Sequence, residues 1–484
     1  MAKRKREDAT ARADPPSRKA LKPTAEASNP KSKDEVTLQI VTGSYERVLH
    51  GITATIPPTL LCPSSDKTDE VQFADTFLFH AHASAIRCLA LSPISQDSQT
   101  VTLASGGTDE RINLYTLSAS RTPNDDRFPA VPTLAGKKIL ENPKNRELGS
   151  LLHHSSSITA LYFPTRSKLL AAAEDNTISV TRMRDMSVVS TIKAPRPKVH
   201  GRPSGDTAPA GAAPTGVNDF AVHPSMKLML SVGRGERCMR LWNLVTGRKA
   251  GVLNFGREVL DCVKEGKWGR GEGRKITWDS AGQEFAVAFE RGAVVFGIIK
   301  YIHISEGAAG SPHEFLAVST EDGRILFYST STNVLSPAEM SGGSSAVPAA
   351  PLWYQLGGKA QGQSSRIKGF EFLTVNSGLG HTETLIVVTA GSDGVVKLWV
   401  LDPNELSGKN QGGSKEGKKE EQLATGDQHK NVGRLLGAYD TGNRITCLVA
   451  FAMTMATEED EIDEFSGLSG DEESESASNE EESE

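Results

Sequence analysis

The feature that most constrains this chain is a hairpin that recurs. "VVTAGSDGVVKLWVLD", from Val387 to Asp402, reads as an apolar β-branched run, a tight turn at Ser392-Asp393-Gly394, and a second run ending on Trp399. A lone hairpin is marginal in water, because it has one face to bury and nothing to bury it against. The same form returns in "TLASGGTDERINLYTL" with Asp109 in the turn, in "LLAAAEDNTISVTRM" with Asp175, and in "LMLSVGRGERCMRLWNL" with Trp242 and a turn around Gly235-Glu236. "EFAVAFERGAVVFGI" and "EFLAVSTEDGRILFYST" are weaker copies, and "LQIVTGSYERVLHGI", from Leu38, is the first, so the hairpin is written seven times.

Most copies follow another alternating, strand-like piece: "SAIRCLALSP", "SSITALYFP", "GVNDFAVHP", "KITWDSAG" and "RIKGFEFL". Three or four short strands per unit, repeated with Gly and Asp turns, predict an all-β chain folded as a seven-bladed β-propeller, each blade burying its faces on its neighbours. The first copy has no strand before it, whereas "RITCLVAFA" (Arg444–Ala452) has the form of a leading strand with no hairpin after it. The expected arrangement therefore has Arg444–Ala452 supply the inner strand of the first blade, closing the ring and removing its open edges. The fifth and sixth turns, at Glu290 and Asp322, are unusually close, which predicts a short or missing strand there.

The ring is expected over residues 36–455. Three polar stretches interrupt it, near 195–216 and 341–351, read as lying between blades, and near 408–430, inside the last blade. They are too poor in apolar residues to fold alone and read as surface insertions; Lys415, Lys418 and Lys419 make the third the best placed of them to touch RNA. Residues 1–35 form a basic arm and 456–484 an acidic tail.

Charge separates these ends. The chain has 54 basic and 60 acidic residues, but 14 of the acidic ones and no basic one lie between Thr457 and Glu484, so the remainder is mildly basic. The arm holds two basic clusters, Lys3, Arg4, Lys5 and Arg6, then Arg18, Lys19 and Lys22, a spacing that suits a bipartite nuclear signal read by an import receptor. In the tail, Ser469 and Ser478 each have an acidic residue three positions on, which suits an acid-directed kinase. Such a tail could mask a basic surface, hold basic ribosomal proteins or histones, or aid solubility. The longest apolar run is far short of a membrane span, and the charged beginning lacks the apolar core of a secretion signal. The five cysteines are scattered without a CxxC pair, so neither a disulfide frame nor a zinc site is expected.

The repeat resembles WD40 repeats, in which a turn Asp, a His from the preceding loop, a Ser or Thr, and a Trp hydrogen-bond inside each blade. His82, Ser105 and Asp109 match that set best, with Tyr115 where Trp is usual; Asp175, Trp242, Asp393 and Trp399 fill single places in other blades. Ala171 and Ala390 are read at Ser/Thr places, and no His precedes Arg366. No P-loop, strand-to-helix GxGxxG, HExxH or GxSxG is present. His153-His154 and the pair His80 and His82 sit where a WD repeat places its loop histidine, so no cofactor and no enzyme activity is expected.

Longer pieces are more specific. "GSYERVLHG", "HAHASAIRCLA", "LLHHSSSITALYF", "AAAEDNTISV", "HPSMKLMLSVGRGERCMRLWNLVTGR", "AGSDGVVKLW" and "DTGNRITCL" occur in that order. Together they resemble the maintenance-of-killer / p21-activated-kinase-interacting family of WD-repeat proteins. The resemblance implies a non-catalytic nucleolar scaffold for assembly of the large ribosomal subunit, with pre-60S particle proteins and rRNA as partners. It also implies an alternative, inhibitory binding of a p21-activated kinase; the acidic tail adds a second, a histone or chromatin adaptor. The chain departs from that family in its long insertions and in an acidic rather than lysine-rich end. The expected docking residues lie at turns and between blades: Tyr45, Arg47, His80, His153, Arg234, Arg237 and Asp322.

Overall fold

The computed structural model describes residues 35–61, 69–94, 99–121, 131–132, 138–139, 142–196, 215–265, 269–297, 315–330, 349–377, 382–402 and 430–454. Both basic clusters of the arm, the tail serines Ser469 and Ser478, and most of the three insertions lie outside these residues.

The described chain forms seven sheets, antiparallel apart from two short parallel additions at outer edges, arranged as the blades of a propeller, with one short α-helix, Arg257–Cys262, between the fourth and fifth. Blade 1 runs outward as Ile445–Ala452, Val36–Ser44, Val48–Ile56 and Gln72–His80. Leu38 lies opposite Ala452 and Thr42 opposite Leu448, so the late strand closes the ring against the first. This is the closure the repeat count demanded.

The packing explains why these strands read as near-continuous apolar runs. Successive side chains on a strand point to opposite faces, and each face of a blade meets a neighbour. Ile40 packs with Ile386, Val388 and Leu398 of blade 7, while Val41, one residue on, packs with Ile86, Leu103 and Tyr115 of blade 2. Blade 7 repeats the device: Val388 faces blade 1 and Val387 faces Ile325 and Phe327 of blade 6. Each such fully buried side chain contributes about 1.5–3 kcal/mol, so the cores between blades rather than any hairpin hold the fold.

Blades 2, 3, 4 and 7 have four strands each. Blade 5 shows three, Lys275–Trp278, Glu284–Ala288 and Ala293–Gly297. In blade 6 the Asp322 turn joins Phe315–Ser319 to Arg324–Ser329, which makes them its second and third strands; Leu352–Gly357 is the fourth, and Lys430–Asn431 adds in parallel outside it. Among the described residues the outer place of blade 5 and the inner place of blade 6 hold no strand, at the junction where the turn spacing is short.

One expectation needs correction. The stretch 341–351 lies inside blade 6, not between blades, because Leu352–Gly357 pairs with Arg324–Ser329. The Gly/Ser/Pro run resembles a blade boundary, but the alternating "LWYQLG" after it is that blade's own outer strand.

The two faces of the ring differ. The upper face carries the turns of Asp109, Asp175 and Asp393 and the loops that enter the inner strands. Strand direction puts both Val36 and Ala452 at the lower face, where Met453 N–H bonds the Thr37 carbonyl at 2.8 Å.

Candidate docking face of the ring

The upper face is built first by its turn networks. In blade 2, His82 Nδ1 meets Asp109 Oδ1 at 2.9 Å and its Nε2 meets Ser105 Oγ at 2.8 Å. Ala83 N–H donates to Asp109 Oδ2 at 2.9 Å. Gly107 is required here, since a Cβ would collide with both Asp109 and His82. Burial works to raise the Asp109 carboxyl, but Ala83 N–H and His82 outweigh it and hold it below the usual carboxylate range. Tyr115, at the Trp position, is buried.

The other blades keep parts of this arrangement. In blade 3, His154 Nδ1 lies 3.2 Å from Asp175 Oδ2, and its Nε2 lies 2.8 Å from Ser179 Oγ. Ser179, on the third strand, thus supplies the hydroxyl that Ala171 cannot. Trp242 Nε1 donates to Ser231 Oγ at 2.8 Å in blade 4, and Trp399 Nε1 to Thr389 Oγ1 at 3.1 Å in blade 7. The hydroxyl place of blade 7 is therefore Thr389 and not Ala390: Ser105 stands four residues before Asp109, and Thr389 four before Asp393. Gln363 stands four residues before Ile367, as His82 stands four before Ile86; it is buried, with no partner for Oε1.

The seven expected docking residues divide into two groups. Tyr45 and Arg47 are exposed at the first turn, Tyr45 at 61 % and Arg47 with φ of 72°. His80, at the end of the outer strand of blade 1, is also exposed. Arg237 is exposed but donates to the Gly269 and Arg270 carbonyls, both at 3.1 Å. Asp322 is exposed, and Arg324 beside it holds its carboxyl below the usual range.

His153 and Arg234 are engaged within the ring. His153 packs on His154 at 4.4 Å between ring centroids, and its Nε2 meets Ser179 Oγ at 2.7 Å. Partial burial and the adjacent His154 push the His153 imidazole down to about 4, so it is neutral at pH 7. Arg234 donates to Glu174 Oε1 at 2.9 Å, and Arg87 donates to the same oxygen at 2.7 Å. Glu174 thus ties blades 2, 3 and 4 together.

Other features were not singled out from the sequence. Arg444 lies over the Tyr45 ring at 5.8 Å, its N–H donates to Glu46 at 3.0 Å, and its carbonyl accepts Tyr45 N–H at 2.9 Å. His50, Asp75 and Tyr439 form a buried cluster where blade 7 meets blade 1: His50 Nε2 lies 2.7 Å from Asp75 Oδ1, and the Tyr439 hydroxyl donates to that oxygen at 2.6 Å. The central channel opens into a cavity of about 340 Å³ lined by Leu89, Leu161, Phe163, Glu371 and Val449 among others. Burial there pushes the Glu371 carboxyl up to about 7. Among the described residues, no group of three or more His, Cys, Asp or Glu side chains could hold a metal ion, and no helix is long and apolar enough to cross a membrane.

The ring and its turn networks define a WD40-repeat β-propeller, and the repeat family described as "WD domain, G-beta repeat" matches residues 74–116 and 145–181. Over most of its length the chain is homologous to two groups of proteins. It is 27 % identical over 401 residues to Protein MAK11 of Saccharomyces cerevisiae, covering 77 % of this chain and 80 % of that protein. It is 23 % identical over 419 residues to the p21-activated protein kinase-interacting protein 1-like of Danio rerio, covering 85 % and 80 %. A shorter match, 27 % over 216 residues, is to Shk1 kinase-binding protein 15 of Schizosaccharomyces pombe, covering 45 % and 46 %.

Proposed function

We propose that this chain is a non-catalytic scaffold that holds proteins, with rRNA beside them, in a nucleolar precursor of the large ribosomal subunit. The observation that carries the scaffold reading is the upper face: exposed Tyr45, Arg47, His80 and Arg237 set on a closed ring whose blades 2 and 3 tie their loop histidines to the turn carboxylates Asp109 and Asp175. A propeller of this kind presents fixed loops to several partners at once. Homology to MAK11 over 77 % of the chain supports the ribosomal assignment, and the two basic clusters of the arm support nuclear import.

A second reading, inhibitory binding of a p21-activated kinase, is favoured by the names of the kinase-interacting relatives. Affinity purification of the tagged chain from nuclear extract, with sizing of the co-purifying RNA, separates them. Large-subunit precursor rRNA with its assembly proteins at moderate salt is the expected result. A kinase, or histones, without precursor rRNA would overturn the ribosomal assignment.

A further inference from the structure

The inner strands share one irregularity, and a single copy of it behaves differently. In five blades the register slips just after the strand's first buried apolar residue. The residues in the slip are Arg87, Thr159, Asn218, Lys368 and Thr446. Thr446 Oγ1 donates to the Ile86 carbonyl at 2.6 Å, Thr159 Oγ1 to the Val217 carbonyl at 2.7 Å, and Asn218 Nδ2 to the Gly273 carbonyl at 2.8 Å. Each therefore latches its blade to the next, at its inner strand for Thr446 and Thr159 and at Gly273, just before the inner strand, for Asn218. Arg87 makes a longer version of the same link, reaching Glu174 of blade 3.

Lys368 makes no such link. It is exposed, and among the described residues it has neither a hydrogen bond nor an ion pair. Partial burial, then Arg366 and Arg444, hold its ammonium below the ordinary lysine value, as expected where cations meet without a counter-charge. Arg366 is already paired with Glu321. The Arg444 guanidinium has no carboxylate partner among the described residues and lies over the exposed ring of Tyr45. The two loops are in close contact, since a Cβ on Gly394 would strike the Asn443 carbonyl and one on Gly369 would come within 3.2 Å of the Leu448 nitrogen. Lys368 and Arg444 thus open on one seam at the mouth of the channel.

We propose that Lys368, Arg444 and the Tyr45 ring form an acceptor site for an anionic side chain of an extended, acidic protein segment. Two unneutralised cations beside an aromatic face suit a carboxylate or a phosphoserine whose own chain packs on the ring. The surroundings favour a protein over a polynucleotide. Glu46, Glu321 and Asp322 are exposed around the site, so a backbone with a charge on every nucleotide would meet repulsion, whereas a peptide can place a single anionic side chain between the two cations.

The inference rests on the scaffold reading above, and its test uses defined probes, so its failure leaves precursor association standing. Binding of a fluorescein-labelled decapeptide of alternating Glu and Ser, of its phosphoserine form, and of a labelled uridine 12-mer would be measured by anisotropy on the full chain. The double change Lys368→Ala with Arg444→Ala should weaken the peptides about tenfold, and Arg291→Ala, on blade 5, should not. Lys368→Arg should retain binding, and an unchanged melting temperature of the double variant excludes misfolding as the cause of a loss. A larger effect on the phosphorylated peptide would mark phosphoserine as the natural ligand, and equal effects a carboxylate. Loss of the uridine 12-mer with both peptides unchanged, or peptide binding indifferent to Lys368 and Arg444, would overturn the site.

Discussion

Two arcs of the upper face are made from the same repeat and carry the same kind of cations, yet they differ in how those cations are held. From blade 2 to the entry of blade 5, Glu174 accepts both Arg87 and Arg234, Glu236 pairs with Arg240, and Glu272 lies 3.3 Å from Arg274. At the seam of blades 7 and 1, neither the Lys368 ammonium nor the Arg444 guanidinium has an ion pair among the described residues, although the Arg444 N–H donates to Glu46. The turn networks differ in the same sense: blade 2 has His82, Ser105 and Asp109 joined, while in blade 7 Trp399 donates to Thr389 and Asp393 accepts the Val395 N–H, with no histidine joining them among the described residues. One arc pairs its cations within the ring; in the other the Lys368 ammonium has no partner among the described residues.

The largest expected effect probes what both arcs share. Trp399 is 1 % exposed and sits in the core between blades 6 and 7. Trp399→Ala should cost about 3–5 kcal/mol in urea unfolding, and a loss under 1 kcal/mol would show that the blade 7 core is not what holds that arc. Next, the intact and partial networks should respond unequally to the same change. Asp109→Ala leaves His82 and the Ala83 N–H without their acceptor and should cost about 2 kcal/mol, whereas Asp393→Ala should cost about 0.5–1 kcal/mol. Equal losses would remove the distinction between the two networks.

Glu371 gives a pH-dependent contrast inside the channel. Its carboxyl, ordinarily near 4.5, is raised by burial to about 7, so the folded state holds a proton that the unfolded state releases between those values. Its contribution is therefore lost as pH rises through that window. Glu371→Gln should stabilise the chain by about 2 kcal/mol at pH 8 and leave it unchanged at pH 4, read from melting at both values. A gain of the same size at both would show that its charge is not the cause. The smallest effect on stability belongs to Glu174→Gln, within about 1 kcal/mol because the pairs are partly exposed. That change nevertheless releases Arg87 and Arg234, and anisotropy should then detect acidic-peptide binding on blades 2 to 4. No new binding would mean that unpaired cations alone do not make an acceptor site.

The architecture was legible because its information is periodic. Seven hairpins, a leading strand before most of them and one leading strand left over imply a ring closed by Arg444–Ala452. Details that depend on counting within a strand were less secure. In the run Val387–Ala390 nothing marks the inward hydroxyl except its distance from Asp393, which is how Thr389 and Ala390 come to be exchanged. In blade 3 the hydroxyl moved to Ser179 on another strand, which no blade-by-blade alignment of second strands would find. The seam residues were harder still. Lys368 and Arg444 are unremarkable in "RIKGFEFL" and "RITCLVAFA", and only the register slip and the closing of the ring bring them together. A signal did exist: in five leading strands the residue after the first Ile or Val occupies the same place in the ring.

Closure by the late strand also sets the order of events during synthesis. Val36–Ser44 is made before the strands of blades 2 to 7, and its inner neighbour, Ile445–Ala452, after them. Until the ribosome has delivered Ile445–Ala452, the nascent first blade keeps an unpaired edge of apolar residues such as Leu38 and Ile40, which invites pairing with another chain. Joining segments so far apart also carries the largest loop-closure cost in the molecule. The ring thus becomes a ring in one late step, and a factor that shields the nascent Val36–Ser44 edge would raise the yield of folded protein more than one acting on any other blade.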